Sequence, residues 1–203
     1  MDKISTGDSI MENEKRWKTI AISSTAASIA LITGLIVIYW WSSTTVVLII
    51  RHGERDDTAS CPPTPNNPPL SAAGQQRAGV LAHVGEAAEL QAIYASEFCR
   101  TQQTVEPLAN QLGLTFNVVN QHATDGSANV DDLITRIKNN NTGQRILIAG
   151  HTNTIPLIIE RLGGTPISPI AGSEFDNLYV VTIFRILFFK RTRVVQLKYG
   201  VAT

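Results

Sequence analysis

The chain has 203 residues and equal numbers of basic and acidic side chains, 17 of each, so no net charge attracts it to nucleic acid. Charged residues make up only 17% of the sequence, whereas about a quarter is usual in soluble domains, and this deficit indicates a segment in lipid. The two cysteines, Cys61 and Cys99, lie outside any zinc-binding spacing, which excludes a zinc-knuckle protein.

The N-terminal region is predicted to anchor the protein in a membrane. Residues 1–18 contain four acidic and four basic residues with little apolar content, and are predicted to be a disordered cytoplasmic tail. Residues 19–42 include the uncharged run Ile20–Trp41, which as a helix would span about 33 Å and so cross a bilayer core of about 30 Å. Basic residues just before this run keep the N-terminus cytoplasmic and place the rest of the chain outside the cytoplasm. Two alternatives stay open, a buried helix of a soluble protein and a cleaved signal peptide, although bulky aromatic residues occupy the position where the peptide would be cut.

Residues 43–203 are predicted to form one domain of alternating strands and helices. Thr45–Ile50 is an unbroken β-branched and aliphatic run, typical of a strand buried on both faces. Asp56–Pro69 contains five prolines and is predicted to be a surface loop. Further helices are predicted at Ser71–Ala88, Thr101–Leu112, Val130–Asn139 and Thr154–Leu162, and strands at Gln91–Ala95, Leu114–Val119, Arg145–Ala149, Leu178–Phe189 and Arg193–Tyr199, the last two joined by a basic turn. This alternation predicts a three-layer α/β/α sandwich with a largely parallel sheet, preceded by a single transmembrane helix.

Three polar clusters follow predicted strands, at the edge of the sheet where ligands bind in such folds. The first is Arg51–Arg55, in which positive neighbours lower the pKa of His52 and keep it neutral, as a nucleophile requires. The second, Ser96–Thr101, opens a helix whose N-terminus favours anions. The third, Gly150–Thr154, contains a second histidine. Arginine side chains can fork onto phosphate oxygens, so the three clusters together predict a phosphate site.

The sequence resembles the histidine phosphatase superfamily, which has the phosphoglycerate mutase-like fold. The matching segments, in the order of the family, are VVLIIRHGER, PLSAAGQQRA, IYASEFCRTQQT and ILIAGHTNTIP. They extend over nearly all of residues 45–185. The Arg-His-Gly motif is followed at family spacing by S-x-x-x-R-x-x-x-T and by a strand that ends in Gly-His, which is similar to the short phosphatase branch.

The resemblance implies phosphoryl transfer through a phosphohistidine. His52 would be the nucleophile, Arg51, Arg100 and His151 would hold the equatorial oxygens, and Arg55 would contact the substrate. No metal or cofactor is then required, because the arginines supply the positive charge. His151 would have to be cationic while His52 is neutral, so the two pKa values must be pushed apart.

The sequence departs from the family at the proton donor for the leaving group. Some members have an aspartate directly after the second histidine, where Thr152 stands, and mutase-like members use a glutamate beyond the S-x-x-x-R motif. The acid nearest that region is Asp125, beside His122. The competing candidates are Glu54, Glu174 and Asp176. A leaving group such as a phosphohistidine or an anhydride would need no acid.

These features predict a membrane-anchored phosphatase that works outside the cytoplasm on a phosphorylated small molecule or a cell-envelope phosphate. Two alternatives stay open. One is a phosphohistidine-protein phosphatase, which would require the domain in the cytoplasm, and the other is a catalytically silent phosphate-binding domain. The chain is short for a mutase. Cys61 and Cys99 could pair in an oxidising compartment, and their spacing leaves this open.

Overall fold

A computed structural model of the protein describes residues 6–40 and 42–202, and side chains at 11–18, 25–39 and 42–202. The chain divides into two compact units, Met1–Ser42 and Ser43–Thr203. The described part of the first unit is helix α1 (Thr6–Trp40). Residues 6–18 are therefore helical and not the predicted disordered tail, and the ion pair between Glu14 and Lys18, at the i,i+4 spacing that stabilises helices, supports this.

The predicted membrane span includes residues outside the described ones. Within Ile20–Trp41, the side chains of residues 20–24 and 40–41 are not described. Among the residues that are, no helix has both the length and the apolar character needed to cross a bilayer. The transmembrane helix stays a prediction from the sequence.

The second unit is built on a mixed six-stranded sheet. Its strands are β1 (Ser42–Arg51), β2 (Ala92–Ala95), β3 (Phe116–Val118), β4 (Arg145–Gly150), β5 (Asn177–Ile186) and β6 (Phe189–Lys198). Their order is β3-β2-β4-β1-β5-β6. The first four strands run parallel, and β5 and β6 form an antiparallel pair.

Helices cover both faces of this sheet. They are α2 (Ala72–Gly85), α3 (Cys99–Leu112), α4 (Asp131–Asn140) and α5 (Thr154–Arg161), with a 3₁₀ turn at Glu86–Ala88. One core packs α2 and α3 against one face, and its fully buried members include Ile50, Leu108 and Leu147. The other core packs α4 and α5 against the opposite face. Alternate residues of each buried strand thus enter different cores, which explains the continuous apolar runs and confirms the predicted α/β class.

The sheet register aligns the ends of three strands. Arg51, the last residue of β1, pairs with Gly150, the last residue of β4. Ala95, the last residue of β2, pairs with Ala149. The loops that follow β1, β2 and β4 therefore leave the sheet at nearly the same level, which is how residues distant in sequence reach one site.

The final hairpin turns at a different place from the predicted one. β5 ends at Ile186 and β6 begins at Phe189, so Leu187 and Phe188 form the turn, and the basic residues Lys190 and Arg191 lie within β6. Leu187 has a φ of 50°, the left-handed conformation that short hairpin turns require. Because no glycine or asparagine marks this turn, the apolar run is read from sequence as a continuing strand.

Candidate active site

His52 follows β1 and is fixed in one orientation by the backbone. Its Nδ1 lies 2.7 Å from the carbonyl oxygen of Gly53, and since a carbonyl only accepts, Nδ1 carries the proton and Nε2 keeps its lone pair. Burial, followed by the positive charges of Arg100, Arg51 and Arg55, lowers the pKa of His52 to about 3, against the opposing effect of this hydrogen bond. The ring is therefore neutral at physiological pH, which is the form that attacks phosphorus.

His151 follows β4 and lies beside His52, with the two ring centroids 5.1 Å apart. Its Nε2 is 2.8 Å from the hydroxyl of Ser96, and Arg100 donates to its Nδ1 at 3.5 Å. Burial, followed by the charges of His52 and Arg100, lowers the pKa of His151. The resemblance implies that the pKa values of the two imidazoles are pushed apart. Both pKa values are instead lowered, because both rings are buried and lie near cationic side chains. A phosphate dianion beside His151 would favour its protonated form.

Arg51 is held by the segment that precedes β5. Its Nη1 donates to the carbonyl oxygens of Ala171, Gly172 and Glu174 at 3.1, 2.8 and 2.9 Å. The guanidinium stacks 3.9 Å from the ring centroid of Phe175. Among the described residues, its buried Nε has no hydrogen-bond partner. Part of the guanidinium is fixed to the protein while a buried donor stays unsatisfied, which fits a residue that binds an anion.

Arg100 is arranged in the same way in the first turn of α3. Its guanidinium lies 4.3 Å from the ring centroid of Phe98, and its Nε is also buried without a partner among the described residues. Only 9% of Arg100 and 8% of Arg51 is exposed. Burial and the charge of Arg55 lower the pKa of each to about 10, which leaves both cationic at neutral pH.

Arg55 is placed differently from the other predicted site residues. Its side chain is 49% exposed, and its Nε forms an ion pair with Asp57 at 2.7 Å. Its charge nevertheless lowers the pKa values of Arg51 and Arg100. Arg55 is therefore electrostatically coupled to the buried cluster from the protein surface.

The loop that carries His52 packs closely on the start of α2. A Cβ at Gly53 would lie 2.9 Å from the carbonyl oxygen of Gly74, and a Cβ at Gly74 would overlap the carbonyl oxygen of Glu54. The amide of Gly53 donates to Thr104, the threonine of the S-x-x-x-R-x-x-x-T motif, at 2.9 Å. Both glycines therefore permit contact between two backbone segments.

Asp125 and Glu54, two of the candidate proton donors, have other partners. Asp125 is exposed and accepts from the amide and hydroxyl of Ser127, which lower its pKa. Burial raises the pKa of Glu54, but its hydrogen bonds with Arg77 and the charge of that guanidinium outweigh burial and lower it. A general acid needs a pKa near the working pH, so a lowered carboxyl pKa is the wrong direction for this role.

The other two candidate acids also have structural partners. Glu174 accepts from the amide of Ala171 at 3.0 Å, which closes the turn that holds Arg51. Asp176 is buried and accepts from Lys198 at 2.7 Å, which joins the ends of β5 and β6. Both carboxylates therefore stabilise the backbone that surrounds the site.

Arg77 connects the loop that carries His52 to residues 199–201. Besides its ion pair with Glu54 at 2.6 Å, it donates to the carbonyl oxygens of Tyr199 and Val201 at 3.2 and 3.1 Å. Ser71 accepts from the amide of Gly74 at 3.2 Å, as expected of a helix cap. The SAAGQQRA segment therefore stabilises the loop that carries His52 through the ion pair between Arg77 and Glu54.

The structure adds a histidine and a glutamate that the sequence left without a role. The ring of His122 lies 4.9 Å from that of His151, and its Nδ1 is 2.7 Å from a carboxylate oxygen of Glu97. Three of the four histidines of the chain thus form one cluster, and the exposed His83 is the exception. Glu97 lies inside the S-x-x-x-R motif, which is the one signal in the sequence that points to it.

Cys61 and Cys99 form a disulfide with their Cα atoms 6.4 Å apart. The bond joins the proline-rich loop to the first residue of α3, next to Arg100. Asn67 of the same loop accepts from the amide of Cys99 at 3.1 Å. The loop is therefore fixed beside Arg100. Within the part of the chain that the structure describes, no His, Cys, Asp and Glu side chains are grouped as a metal site.

Comparisons with known proteins find a family model and solved structures that are similar to this chain. The model of the histidine phosphatase superfamily (branch 1) matches residues 47–122. The protein histidine phosphatase SixA, solved with tungstate, is 17% identical over 75% of this chain and 96% of its own, with a TM-score of 0.52. The mycobacterial glucosyl-3-phosphoglycerate phosphatase Rv2419c is 14% identical over 71% and 97%, with a TM-score of 0.51. A candidate alpha-ribazole-5'-P phosphatase from Escherichia coli K-12 is 18% identical over 77% and 98%, with a TM-score of 0.52. No curated protein matches the chain by sequence.

Proposed function

We propose that the chain, which has the fold of the histidine phosphatases and matches their superfamily model over residues 47–122, is a phosphatase that hydrolyses phosphomonoesters through a phosphohistidine on His52. One observation carries the proposal: a buried, neutral imidazole has its Nδ1 proton committed to a carbonyl, and two buried arginines with unsatisfied Nε donors surround it. Such a group presents a lone pair to an anion that the arginines bind.

The first chemical step is attack by Nε2 of His52 on phosphorus, opposite the leaving oxygen. Arg51 and Arg100 neutralise the charge on the equatorial oxygens and need little movement, because each is already stacked on an aromatic ring. The Gly53 carbonyl accepts a hydrogen bond from Nδ1 throughout the reaction and stabilises the positive charge that develops on the ring. Catalysis then consists mainly of positioning and charge stabilisation.

His151 holds the third side of the phosphoryl group. Its Nε2 is bonded to Ser96, so the Nδ1 edge that now accepts from Arg100 is the edge available to phosphate. The dianion favours protonation of His151, after which Nδ1 donates to a phosphate oxygen. Water then attacks the phosphohistidine and releases inorganic phosphate.

Replacement of the nucleophile tests this proposal. The full chain should hydrolyse p-nitrophenyl phosphate without added metal, and His52→Ala should lose at least about 10³-fold in kcat/KM, since removing a nucleophile abolishes the covalent route. A radiolabelled substrate should leave an acid-labile phosphoryl group on the wild-type chain and none on the variant.

His83→Ala is the matched control, because His83 is an exposed histidine of α2 outside the cluster. It should retain the wild-type rate. Equal rates in wild type and His52→Ala would overturn the proposed function, as would an active enzyme that carries no phosphoryl label.

Membrane anchoring and an extracytoplasmic domain remain part of the proposal on sequence grounds, through Ile20–Trp41 and the basic residues before it. The disulfide between Cys61 and Cys99 supports the location, because disulfides persist in oxidising compartments and are rare in the cytoplasm. The substrate would then be a phosphorylated small molecule or an envelope-borne phosphate.

A protein phosphohistidine substrate is the second candidate, favoured by the similarity to SixA. The Cys61–Cys99 disulfide argues against it, since phosphohistidine proteins of signalling systems would require a cytoplasmic domain. Hydrolysis of a phosphohistidine peptide much faster than of any phosphomonoester would favour this candidate.

A further inference from the structure

We propose that His122, oriented by Glu97, is the general acid that protonates the leaving oxygen of the substrate. This inference rests on the proposed phosphatase function and names the group left open by the sequence. It also implies a substrate class, because an acid is needed when the leaving group is a poor one, such as the alkoxide of a sugar or alcohol.

The first support is the position of the ring. The centroid of His122 lies 4.9 Å from that of His151, which in turn lies 5.1 Å from His52. Phe98, whose face is stacked with the guanidinium of Arg100, contacts the ring of His122 with a centroid distance of 5.3 Å. His122 therefore belongs to the same cluster as the phosphate-binding groups, and its side chain remains 12% exposed, which leaves it accessible to substrate.

The second support is the orientation of the ring. Glu97 places one carboxylate oxygen 2.7 Å from Nδ1 of His122, while its other oxygen accepts from the amide of Gln121 at 2.9 Å. A carboxylate accepts hydrogen bonds, so Nδ1 donates and Nε2 is left to hold or release the catalytic proton. A carboxylate that orients a catalytic imidazole in this way also stabilises its positive charge.

The third support is the anchoring of the segment that carries His122. Gln121 is fully buried, donates to the carbonyl of Ala149 at 2.9 Å and accepts from Thr154 at 2.9 Å. Both partners belong to the strand end and helix start that flank His151. The loop is thus bound to the site immediately before His122, as a catalytic side chain requires.

The charged and titratable groups that face His122 come from three places in the fold. Glu97, from the loop after β2, forms the ion pair, and Arg100 approaches from α3 through Phe98. His151 follows β4 and is coupled electrostatically to His122. Glu97 supplies the one negative charge in this set.

The proposed steps balance in atoms and charge. As the bond between phosphorus and Nε2 of His52 forms, the bond to the leaving oxygen breaks, and that oxygen takes the Nε2 proton of His122. The alcohol departs and His122 is neutral. His122 then accepts a proton from the attacking water, the bond between phosphorus and His52 breaks, and inorganic phosphate leaves with both histidines restored.

Dependence on the leaving group distinguishes this role from a structural one. In His122→Asn the side-chain amide can still donate to Glu97 but cannot titrate. We expect a loss of about 10²-fold or more in kcat for an alkyl phosphate such as glycerol 2-phosphate, and a far smaller loss for p-nitrophenyl phosphate, whose leaving group needs no proton. Glu97→Gln should reduce the alkyl rate selectively, because the imidazolium loses its counter-charge.

Asp125→Asn is the matched control. This exposed carboxylate lies three residues from His122, and its hydrogen bonds among the described residues go to the amide and hydroxyl of Ser127 in the same turn. It should leave both rates unchanged. Equal losses on both esters in His122→Asn, with unaltered thermal unfolding, would overturn the inference while leaving the phosphohistidine route intact. A wild-type chain inactive on every ester would instead overturn the proposed function itself.

Discussion

At the scale of single residues, the site is defined by histidines kept neutral by burial. His52 and His151 are 4% and 5% exposed, and both have lowered pKa values. Each bonds through one ring nitrogen to an uncharged group, Gly53 or Ser96. Under the proposed function, a bound phosphate would supply the negative charge around them, and its binding would be coupled to protonation of the site.

This burial predicts a decrease in stability in mild acid. Between pH 6.5 and about 3 the unfolded chain protonates His52 but the folded chain does not, so the free energy of unfolding decreases as the pH falls through this range. His52→Asn keeps a donor for the Gly53 carbonyl and removes the titration. Urea unfolding at pH 6.5 and 4.5 should show a loss about 2 kcal/mol smaller in this variant than in the wild type.

His83→Asn provides the comparison for an exposed histidine. It should lose as much stability as the wild type over the same interval. If His52→Asn and the wild type lose equal stability, His52 is protonated in the folded chain and the neutral nucleophile is excluded.

The sequence predicts the residues that motifs mark, but not those that distant loops bring together. Arg51, His52, Arg100 and His151 each lie in a motif at or just after the end of a strand, and the structure places all four in one cluster. The pair formed by Glu97 and His122 depends on the path of the loop after β3, which no periodicity encodes. The carboxylate of Asp125 is close to His122 in sequence, yet it is used in a surface turn.

At the scale of elements, the contact between the nucleophile loop and α2 depends on two glycines. Gly74 and Gly79 lie on the same helix, but a Cβ at Gly74 would overlap the carbonyl of Glu54, whereas a Cβ at Gly79 would meet no atom within 4 Å. An alanine at Gly79 therefore tests only the intrinsic preference of a helix for alanine over glycine. An alanine at Gly74 also tests the packing of this loop against α2.

Alanine substitutions at these positions should have opposite effects. Gly79→Ala should raise the free energy of unfolding by about 0.5–1 kcal/mol, because alanine loses less backbone entropy in a helix. Gly74→Ala should lower it by about 1–3 kcal/mol through overpacking, and should reduce the hydrolytic rate because His52 moves with its loop. Urea unfolding and p-nitrophenyl phosphate turnover measure both effects. A stabilised Gly74→Ala variant would show that the loop does not constrain α2.

The ends of helices and strands can be predicted where a characteristic residue, such as a glycine, marks them. Gly113 ends α3 with a φ of 65°, as a glycine after a helix leads one to expect. The final hairpin carries no such residue at Leu187, so the turn is misplaced in the prediction. The helix of residues 6–18 is missed because composition alone does not register i,i+4 pairs.

At the scale of the whole molecule, the disulfide connects the structure with the predicted location. In intact cells, Cys61 and Cys99 should resist a maleimide-polyethylene glycol reagent unless the chain is first reduced, because an oxidising compartment maintains the bond. Electrophoretic mobility after labelling of the denatured chain reports the result.

Cys61→Ser is the control for reagent access, since it leaves Cys99 as a single thiol. It should be labelled without prior reduction. Labelling of both cysteines in the unreduced wild type would place the domain in a reducing compartment and shift the proposal towards a protein phosphohistidine substrate.

The bonds of Arg77 have a further consequence for how the domain folds during synthesis. This arginine holds Glu54, next to the nucleophile, and its other hydrogen bonds go to Tyr199 and Val201, near the C-terminus. The ribosome adds those two residues about 150 positions after His52. Domains generally fold as units during synthesis, so until both residues have left the ribosome a nascent chain lacks the hydrogen bonds that steady the loop of His52.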